Sequence, residues 1–481
     1  MSTTATSQGR GGALFGAKLA LARALGAASR ASGRGGGTTL PGRVLLRLDP
    51  EAIARLGRGL DRGATIVSAT NGKTTTAGMI AAILEAAGRR PVHNRAGSNM
   101  TWGVATALLE QRGQEGLFEV DEAWLPRVTR DLDPSLIVLG NLFRDQLDRY
   151  GEMEALADEW AKTVAARTGR TGFVLNADDP LIADLGRDAD ERPRDGVLYF
   201  GIDDHAQALP ELQHAFDAKH CRRCGHPYTY EVAFVGHLGH YSCPNCGAER
   251  PRPDVAATKI ELHGMKGSTS TIRTPDGEFE LRLPLPGLYN IYNALAAVAA
   301  GLRLGVEPTR IVAALGEMRA AFGRVETIAV GAAAELAILL IKNPAGANEV
   351  LRTLRLEAEG EPIDLWIALN DRIADGRDVS WIWDADFELL AEGVRRVVCA
   401  GTRAPEMALR LKYAGWPAER IEVVPEVEAS LDAAIHAAEG IDGAMGPSGS
   451  KARLFALPTY TALLELRKLL SDRGLAKEFW R

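Results

Sequence analysis

The sequence of 481 residues contains no run of about 18 uncharged apolar residues, so no membrane-spanning helix is expected. It has only five cysteines, too few for a disulfide framework in a chain of this length. It also lacks a basic excess. Its 56 Lys and Arg against 62 Asp and Glu give a net charge of −6, which offers no general attraction to nucleic acid or anionic lipid. Residues 1–48 lack acidic side chains altogether yet hold seven Arg or Lys, leaving −13 on the rest of the chain. What is present is ordinary for a folded protein: 46% apolar residues, 25% charged and a mean hydropathy of −0.08. At roughly 150 residues per domain, the length suggests about three packing units.

Within the basic arm, Leu14, Lys18, Leu21, Leu25 and Ala28 fall at helical spacing. They predict a short amphipathic helix that docks on the protein or approaches an anionic membrane surface. From Arg58 to Arg89 the pattern reads strand, loop, helix: Ala64-Thr65-Ile66-Val67, a turn over Ser68 to Gly72, then Ala-rich Thr74 to Ala87. Further strands are expected at Leu136 to Leu139 and Gly172 to Leu175, with a helix at Met153 to Arg167. Strands alternating with helices imply a mostly parallel sheet with its site at the strand C-termini. Between about 216 and 255 the texture turns to Cys, His, Tyr, Pro and Gly, the mark of an inserted module. A second α/β pattern begins with Ala337 to Ile341 and continues with Leu365 to Leu369 and Val397 to Ala400. The chain therefore divides into a basic arm at 1–48, a central domain at 49–327 carrying the insertion, and an α/β domain at 328–481.

Three motifs carry chemistry. Ala69-Thr70-Asn71-Gly72-Lys73-Thr74-Thr75-Thr76 lies between a predicted strand and helix, the context of a P-loop. There, backbone N–H groups and a helix N-terminus cradle phosphates, Lys73 reaches the β/γ-phosphates, and a Thr hydroxyl ligates Mg²⁺. Val67 occupies the place of the first motif glycine. Next, Cys221-Arg222-Arg223-Cys224 and Cys243-Pro244-Asn245-Cys246 offer four thiolates to one tetrahedral ion, whose softness favours Zn²⁺. Four cysteine ligands leave no open position for chemistry, so this zinc is expected to be structural. Arg222, Arg223, Arg250 and Arg252 could serve nucleic acid, but in an acidic chain without interleaved aromatics folding support is the preferred role. Last, Glu119, Asp121 and Glu122 follow Leu117-Phe118, and Asp145 and Asp148 follow the Leu136 to Leu139 strand, where carboxylates beside a P-loop suit Mg²⁺.

These residues, with Asn176-Ala177-Asp178-Asp179-Pro180, the run Leu285 to Ala296 and Gly323-Arg324-Val325-Glu326, resemble the ATP-binding signatures of Mur ligases and folylpolyglutamate synthases. The four-cysteine insertion and the segments Ile341 to Glu349 and Asn370 to Asp384 narrow the resemblance to the MurT family, the ligase-like subunits of lipid II isoglutaminyl synthases. The resemblance implies a Mur ligase-type P-loop ATPase domain with a zinc ribbon, followed by a Rossmann-like α/β domain that binds a partner. It implies a cytoplasmic enzyme, at the inner face of the membrane, that uses ATP and Mg²⁺ to amidate the α-carboxylate of D-glutamate in lipid II, with ammonia from a GatD-like glutamine amidotransferase. On the same ground, Asn71, Gly72, Lys73, Thr74, Thr75, Asn290, Asn293 and Arg324 would bind ATP, and Thr74 and Glu119 would hold Mg²⁺. One aspartate of the C-terminal motif would complete the partner's Cys–His dyad; Asp378 is chosen, with Asp375 and Asp384 as alternatives. Ala69 and Gln146 depart from the glycine and the metal-binding histidine of many relatives. Two other readings compete: a stand-alone ligase of the Mur or folylpolyglutamate type, and a non-enzymatic zinc-ribbon module with a degenerate P-loop.

Overall fold

The computed structural model describes residues 5–31, 39–95, 98–145, 153–167, 169–188, 190, 192–213, 216–318, 324–331, 334–358, 361–439 and 452–476. Its strands are β1 (Ala64–Ser68), β2 (Val92–His93), β3 (Gly116–Glu119), β4 (Leu136–Leu139), β5 (Gly172–Asn176), β6 (Val197–Ile202), β7 (Thr229–Val235), β8 (Leu238–Ser242) and β9 (Val255–Leu262). They continue with β10 (Ser268–Thr274), β11 (Gly277–Leu283), β12 (Arg324–Ala329), β13 (Ala334–Leu339), β14 (Ile363–Ala368), β15 (Val394–Ala400), β16 (Ile421–Val423) and β17 (Ala452–Pro458).

The first sheet runs β11-β10-β9-β6-β5-β4-β1-β3-β2. From β2 to β9 all pairings are parallel, and β10 and β11 add an antiparallel edge. Strands β1, β3, β4 and β5 are buried along their whole length, as a sheet covered on both faces requires. On one face lie the helices Lys73–Ala86 and Leu288–Arg303, packed against each other. Alanines fill the second helix at positions 294, 296, 297, 299 and 300, so it lies close to its neighbours. The other face is closed by a core that includes Val104, Phe118, Val128, Trp160 and Ile182.

The second sheet runs β12-β13-β17-β14-β15-β16, parallel except for the β12–β13 pair. Strand β12, which pairs in this sheet, starts at Arg324, four residues before the expected start of the domain at 328. The insertion forms a hairpin, β7–β8, whose turn holds Gly236 at φ +54°. Its Phe234, Val235 and Leu238 enter the core of the first domain, where Ala345 of the second domain joins them. Cys399, the cysteine outside the two CxxC pairs, lies fully buried in β15.

The N-terminal helix, Ala5–Ala31, docks as expected but on a different face. Phe15, Leu19 and Ala22 pack inward, whereas Leu14, Leu21 and Leu25 are 62%, 49% and 42% exposed. Close approach at one turn fixes the face. A Cβ on Gly26 would lie 2.5 Å from the Pro41 ring, so the helix turns its slimmest side toward its neighbour. Lys18 pairs with Asp49, Arg23 donates to the Leu109 carbonyl and Arg30 pairs with Glu110, so part of the basic charge is spent on the protein itself.

Candidate functional site

Strand β1 ends at Ser68, and the next residues turn tightly before the helix that starts at Lys73. Gly72 makes the turn at φ +87°; any Cβ there would lie 2.0 Å from Asn293 Oδ1, so glycine is required twice over. The loop is tied to the end of β4. Thr70 N donates to the Asn141 carbonyl (2.8 Å) and Asn71 N to Asn141 Oδ1 (2.9 Å), while Asn141 Nδ2 returns a bond to the Asn71 carbonyl (3.1 Å). Phe143 N donates to Thr70 Oγ1 at 3.1 Å.

Lys73 is buried, and its ammonium donates to Glu122 Oε2 (2.8 Å), to the Thr70 carbonyl (3.3 Å) and to the Ala69 carbonyl. Burial works against the charge on Lys73, yet Glu122, then Asp121 and Glu119, raise its pKa above the ordinary lysine value. Glu122 responds in the opposite sense: burial favours its neutral form, but Lys73 and Lys342 hold it below the usual carboxylate range. Trp160 Nε1 donates to the Glu122 carbonyl at 3.0 Å and fixes its backbone.

The two residues expected at magnesium are together: Thr74 Oγ1 donates to Glu119 Oε1 at 3.0 Å. Asn94 clamps the end of β3 by accepting from Glu119 N (2.9 Å) and donating to the Glu119 carbonyl (2.8 Å). A hydroxyl and a carboxylate beside a buried ammonium form a donor set that suits Mg²⁺ with phosphate oxygens. Thr75 is buried in the first turn of the same helix. Asn293 accepts from Thr76 Oγ1 (3.2 Å) and donates to Asn290 Oδ1 (3.0 Å), which places Asn293 against the loop and Asn290 behind it. Arg324 opens β12, but its side chain lies outside the described residues, as do Gln146 and Asp148.

Sequence reasoning gave no role to the second domain's contribution. At the turn after β13, Lys342 donates to the Thr70 carbonyl (3.1 Å) and to Asp145. Asn343 and Asn71 exchange side-chain amide bonds of 3.0 and 3.1 Å. The signal available was an Asn-Pro step between a strand and a helix, which marks a strand-end loop but not the loop it faces.

In the insertion, the four cysteine sulfurs lie within 4.8 Å of one another, the one such group among the described residues. Sγ···Sγ distances of 3.6 Å (Cys221 to Cys246) and 3.4 Å (Cys224 to Cys243) are far beyond a disulfide bond. They approach the ~3.8 Å edge of a tetrahedron with 2.3 Å metal–sulfur bonds. Both CxxC loops close alike: Gly225 N and Gly247 N donate to the carbonyls of Cys221 and Cys243, each glycine at φ +72°. Three of the module's four arginines face the protein, while Arg252 is exposed. Arg222 pairs with Asp158, Arg223 with Asp184, and Arg250 with Asp178 and Asp203.

The three C-terminal aspartates have different surroundings. Asp375 is buried and accepts from Thr461 N (2.7 Å) and Oγ1 (2.5 Å) at the start of the helix Tyr460–Asp472; burial raises its pKa despite those bonds. Asp384 pairs with Arg144 of the first domain at 3.1 Å. Asp378 is exposed and caps its own loop by accepting from Ser380 N at 2.8 Å; the Ser380 hydroxyl and then this backbone bond lower its pKa.

The Mur ligase middle domain matches residues 67–248 and 240–301, and the MurT ligase C-terminal domain matches 340–463. The chain is 34% identical to the lipid II isoglutaminyl synthase (glutamine-hydrolyzing) subunit MurT of Streptococcus pneumoniae, over 92% of this chain and 94% of that protein. It is 32% identical to the subunit of the same name from Staphylococcus aureus, over 94% and 96%. Among solved structures, a pseudomurein peptide ligase type C from Methanothermus fervidus superposes with a TM-score of 0.67 at 22% identity, covering 87% of this chain and 80% of that one. Folylpolyglutamate synthase of Mycobacterium tuberculosis complexed with ADP gives 0.57 at 15%, covering 87% and 93%. These two matches establish the fold, while the two family models and the near full-length relatives establish kinship: the chain belongs to the MurT family of Mur ligase-type enzymes.

Proposed function

We propose that this chain is the ATP-using subunit of a lipid II isoglutaminyl synthase, converting the α-carboxylate of D-glutamate in the lipid II stem peptide to the amide of D-isoglutamine. The observation that carries the reading is the cluster of Lys73, Thr74 and Glu119 at the end of β1 and β3, faced by Lys342 and Asn343 from the second domain. A carboxylate oxygen is a poor leaving group. Transfer of the γ-phosphoryl group of ATP to it gives an acyl phosphate; ammonia then attacks the carbonyl carbon, phosphate departs, and the ammonium nitrogen loses a proton to give the amide. Mg²⁺ held by Thr74 and Glu119 would neutralise phosphate charge. Lys73 and the N–H groups of the P-loop would bind and orient the phosphates, and Asn290 and Asn293 would support the loop from behind.

Ammonia would come from a GatD-like glutaminase bound to the second domain, with Asp378 orienting the partner's histidine as a triad acid does. Its exposure supports this choice, since Asp375 and Asp384 are engaged within the chain. A structural Zn²⁺ would occupy the four-cysteine cluster. Contact with the inner face of the membrane would use the exposed row Leu14, Leu21 and Leu25, and no helix among the described residues is long and apolar enough to cross a bilayer.

The test is amide formation on lipid II, read by mass spectrometry, with the purified chain, ATP and Mg²⁺. Glutamine should serve only when the glutaminase is added, ammonium chloride should serve without it, and Lys73→Ala should abolish both. Glutamine-dependent product without a glutaminase would refute the division of labour. Attachment of a free amino acid instead of ammonia would establish the stand-alone ligase.

A further inference from the structure

We propose that Arg250, which follows the second CxxC loop, is a positioning residue for the nucleotide, acting through Asp178 and Tyr292. The inference rests on reading the P-loop as an ATP site. Asp178 is fully buried between the cysteine module and the first sheet, and its carboxylate is saturated. Oδ1 accepts from Arg250 Nε at 2.6 Å; Oδ2 accepts from Ile202 N at 2.9 Å and from the Tyr292 hydroxyl at 2.7 Å. Arg250 also donates to the Ile202 carbonyl at 3.0 Å and pairs with Asp203 at 3.0 Å.

Tyr292 leads directly to the phosphate loop. With its neighbour Asn293 it lines a small cavity behind the loop that also touches Ala69, Asn71 and Asn141. Asn293 holds Thr76 by a hydrogen bond and sits so close to Gly72 that no added methyl group would fit. A displacement of the Tyr292 turn by a few tenths of an ångström therefore pushes on Gly72 or releases it. Removing the Arg250 cation leaves a buried carboxylate without its counter-charge, which must take up a proton or move. A carboxylate that moves leaves the reach of Tyr292, and one that is neutralised on Oδ1 still accepts from it at Oδ2 but holds it more weakly.

Attachment of the module does not need this link. Phe234, Val235 and Leu238 bury the hairpin, and Arg222–Asp158 and Arg223–Asp184 fasten the first CxxC loop without touching Asp178. Arg250 differs in sharing its carboxylate with the helix that backs the P-loop. The cysteine module is thereby connected to nucleotide affinity.

The experiment uses the full-length chain with its glutaminase partner. Mg·ADP affinity is measured by calorimetry, alongside KM for ATP, kcat, zinc content and melting temperature. Arg250→Gln should weaken Mg·ADP about tenfold and raise KM for ATP by a similar factor, with zinc content retained and kcat changed less. Arg250→Lys should recover most of the loss. Tyr292→Phe should weaken binding in the same direction, and the double variant should bind no more weakly than Arg250→Gln alone, because both act through one carboxylate. Arg222→Gln should lower the melting temperature with affinity unchanged. Affinity within twofold of wild type in Arg250→Gln, additive effects in the double variant, or an equal loss in Arg222→Gln would overturn the proposal. If Arg250→Gln does not fold, Tyr292→Phe decides, and wild-type affinity there refutes it. Failure of the underlying reading has another signature: no saturable Mg·ADP binding by the wild type, or undiminished binding by Lys73→Ala, which removes the proposal with its foundation.

Discussion

Replacing Lys73 with Ala should have two separable effects, because the ammonium supports both a phosphate site and a buried carboxylate. Glu122 is 5% exposed and lies 2.8 Å from Lys73. Removing one member of such a pair costs about 3–5 kcal/mol, which in a domain of this size corresponds to a fall in melting temperature of roughly 6–20 °C. Catalysis loses the interaction of a unit charge with the transferring phosphoryl group. At about 4 Å and an effective dielectric of about 20 this is about 4 kcal/mol, or roughly 10³-fold in rate. Lys73→Ala/Glu122→Gln removes both charges, so stability should return to within about 1 kcal/mol of wild type while activity stays lost. The pH dependence has a definite sign. In the wild type Glu122 is held below its ordinary value, so its contribution is complete at neutral pH and fades only below about pH 4. Without Lys73, burial works toward the neutral form against the remaining charge of Lys342, so the folded state takes up a proton more readily and the variant's deficit shrinks as the pH is lowered from about 7 toward about 4. The assays are thermal melts across that range and amide formation with ammonium chloride. A single variant as stable as wild type at pH 7, or a double variant no more stable than the single one, would refute the argument.

Cys243→Ser, at a buried position of the cluster, should lower zinc content and melting temperature together; an unchanged melting temperature would contradict a structural metal. Asn343→Ala and Asn71→Ala should each slow amidation, and a double-mutant cycle should return a coupling of about 1 kcal/mol for the paired amide bonds. Asp378→Asn should impair the partner's glutamine hydrolysis more than amidation with free ammonia. If both fell equally, the role would pass to Asp375 or Asp384. Leu21→Ser/Leu25→Ser, altering the exposed row, should reduce sedimentation with phosphatidylglycerol vesicles at unchanged melting temperature, and full retention would exclude this membrane face.

How far the sequence could be read follows from the range over which each feature is encoded. The P-loop and the cysteine pairs are local: strand, glycine turn and helix lie within 23 residues, and CxxC spacing fixes a knuckle by itself. The strand at Leu136–Leu139 was readable because four consecutive apolar residues are bounded by the turn formers Ser135 and Gly140. The face of the N-terminal helix was not. Its small residues leave several faces nearly equivalent, and Pro41 selects the one carrying Gly26. Glu122 could be seen as one of three neighbouring acids, but only the turn after β3 aims it at Lys73 while Glu119 meets Thr74. Lys342 and Asn343 lie 272 residues beyond their partners Thr70 and Asn71, so their role arises from domain docking, which leaves no local pattern. The inward aim of Arg222, Arg223 and Arg250 was hidden for the same reason: the carboxylates that receive them come from other parts of the chain.

The position of the cysteine module between β6 and β9 constrains how this architecture can vary. These strands are neighbours and run parallel, so the chain must travel back along the sheet before β9 can begin. Elsewhere in such folds a helix makes that return journey; here residues 203–254 make it with a metal-type knuckle and a hairpin. The module therefore serves as the crossover of the sheet and cannot be excised like a surface loop. Joining Ile202 to Val255 through a tight turn would force the two strands antiparallel and disrupt the antiparallel edge that follows. Any shortened descendant of this chain would have to supply a replacement of about a dozen residues or more. Loss of the cysteines alone could be tolerated only if some other packed element kept that path.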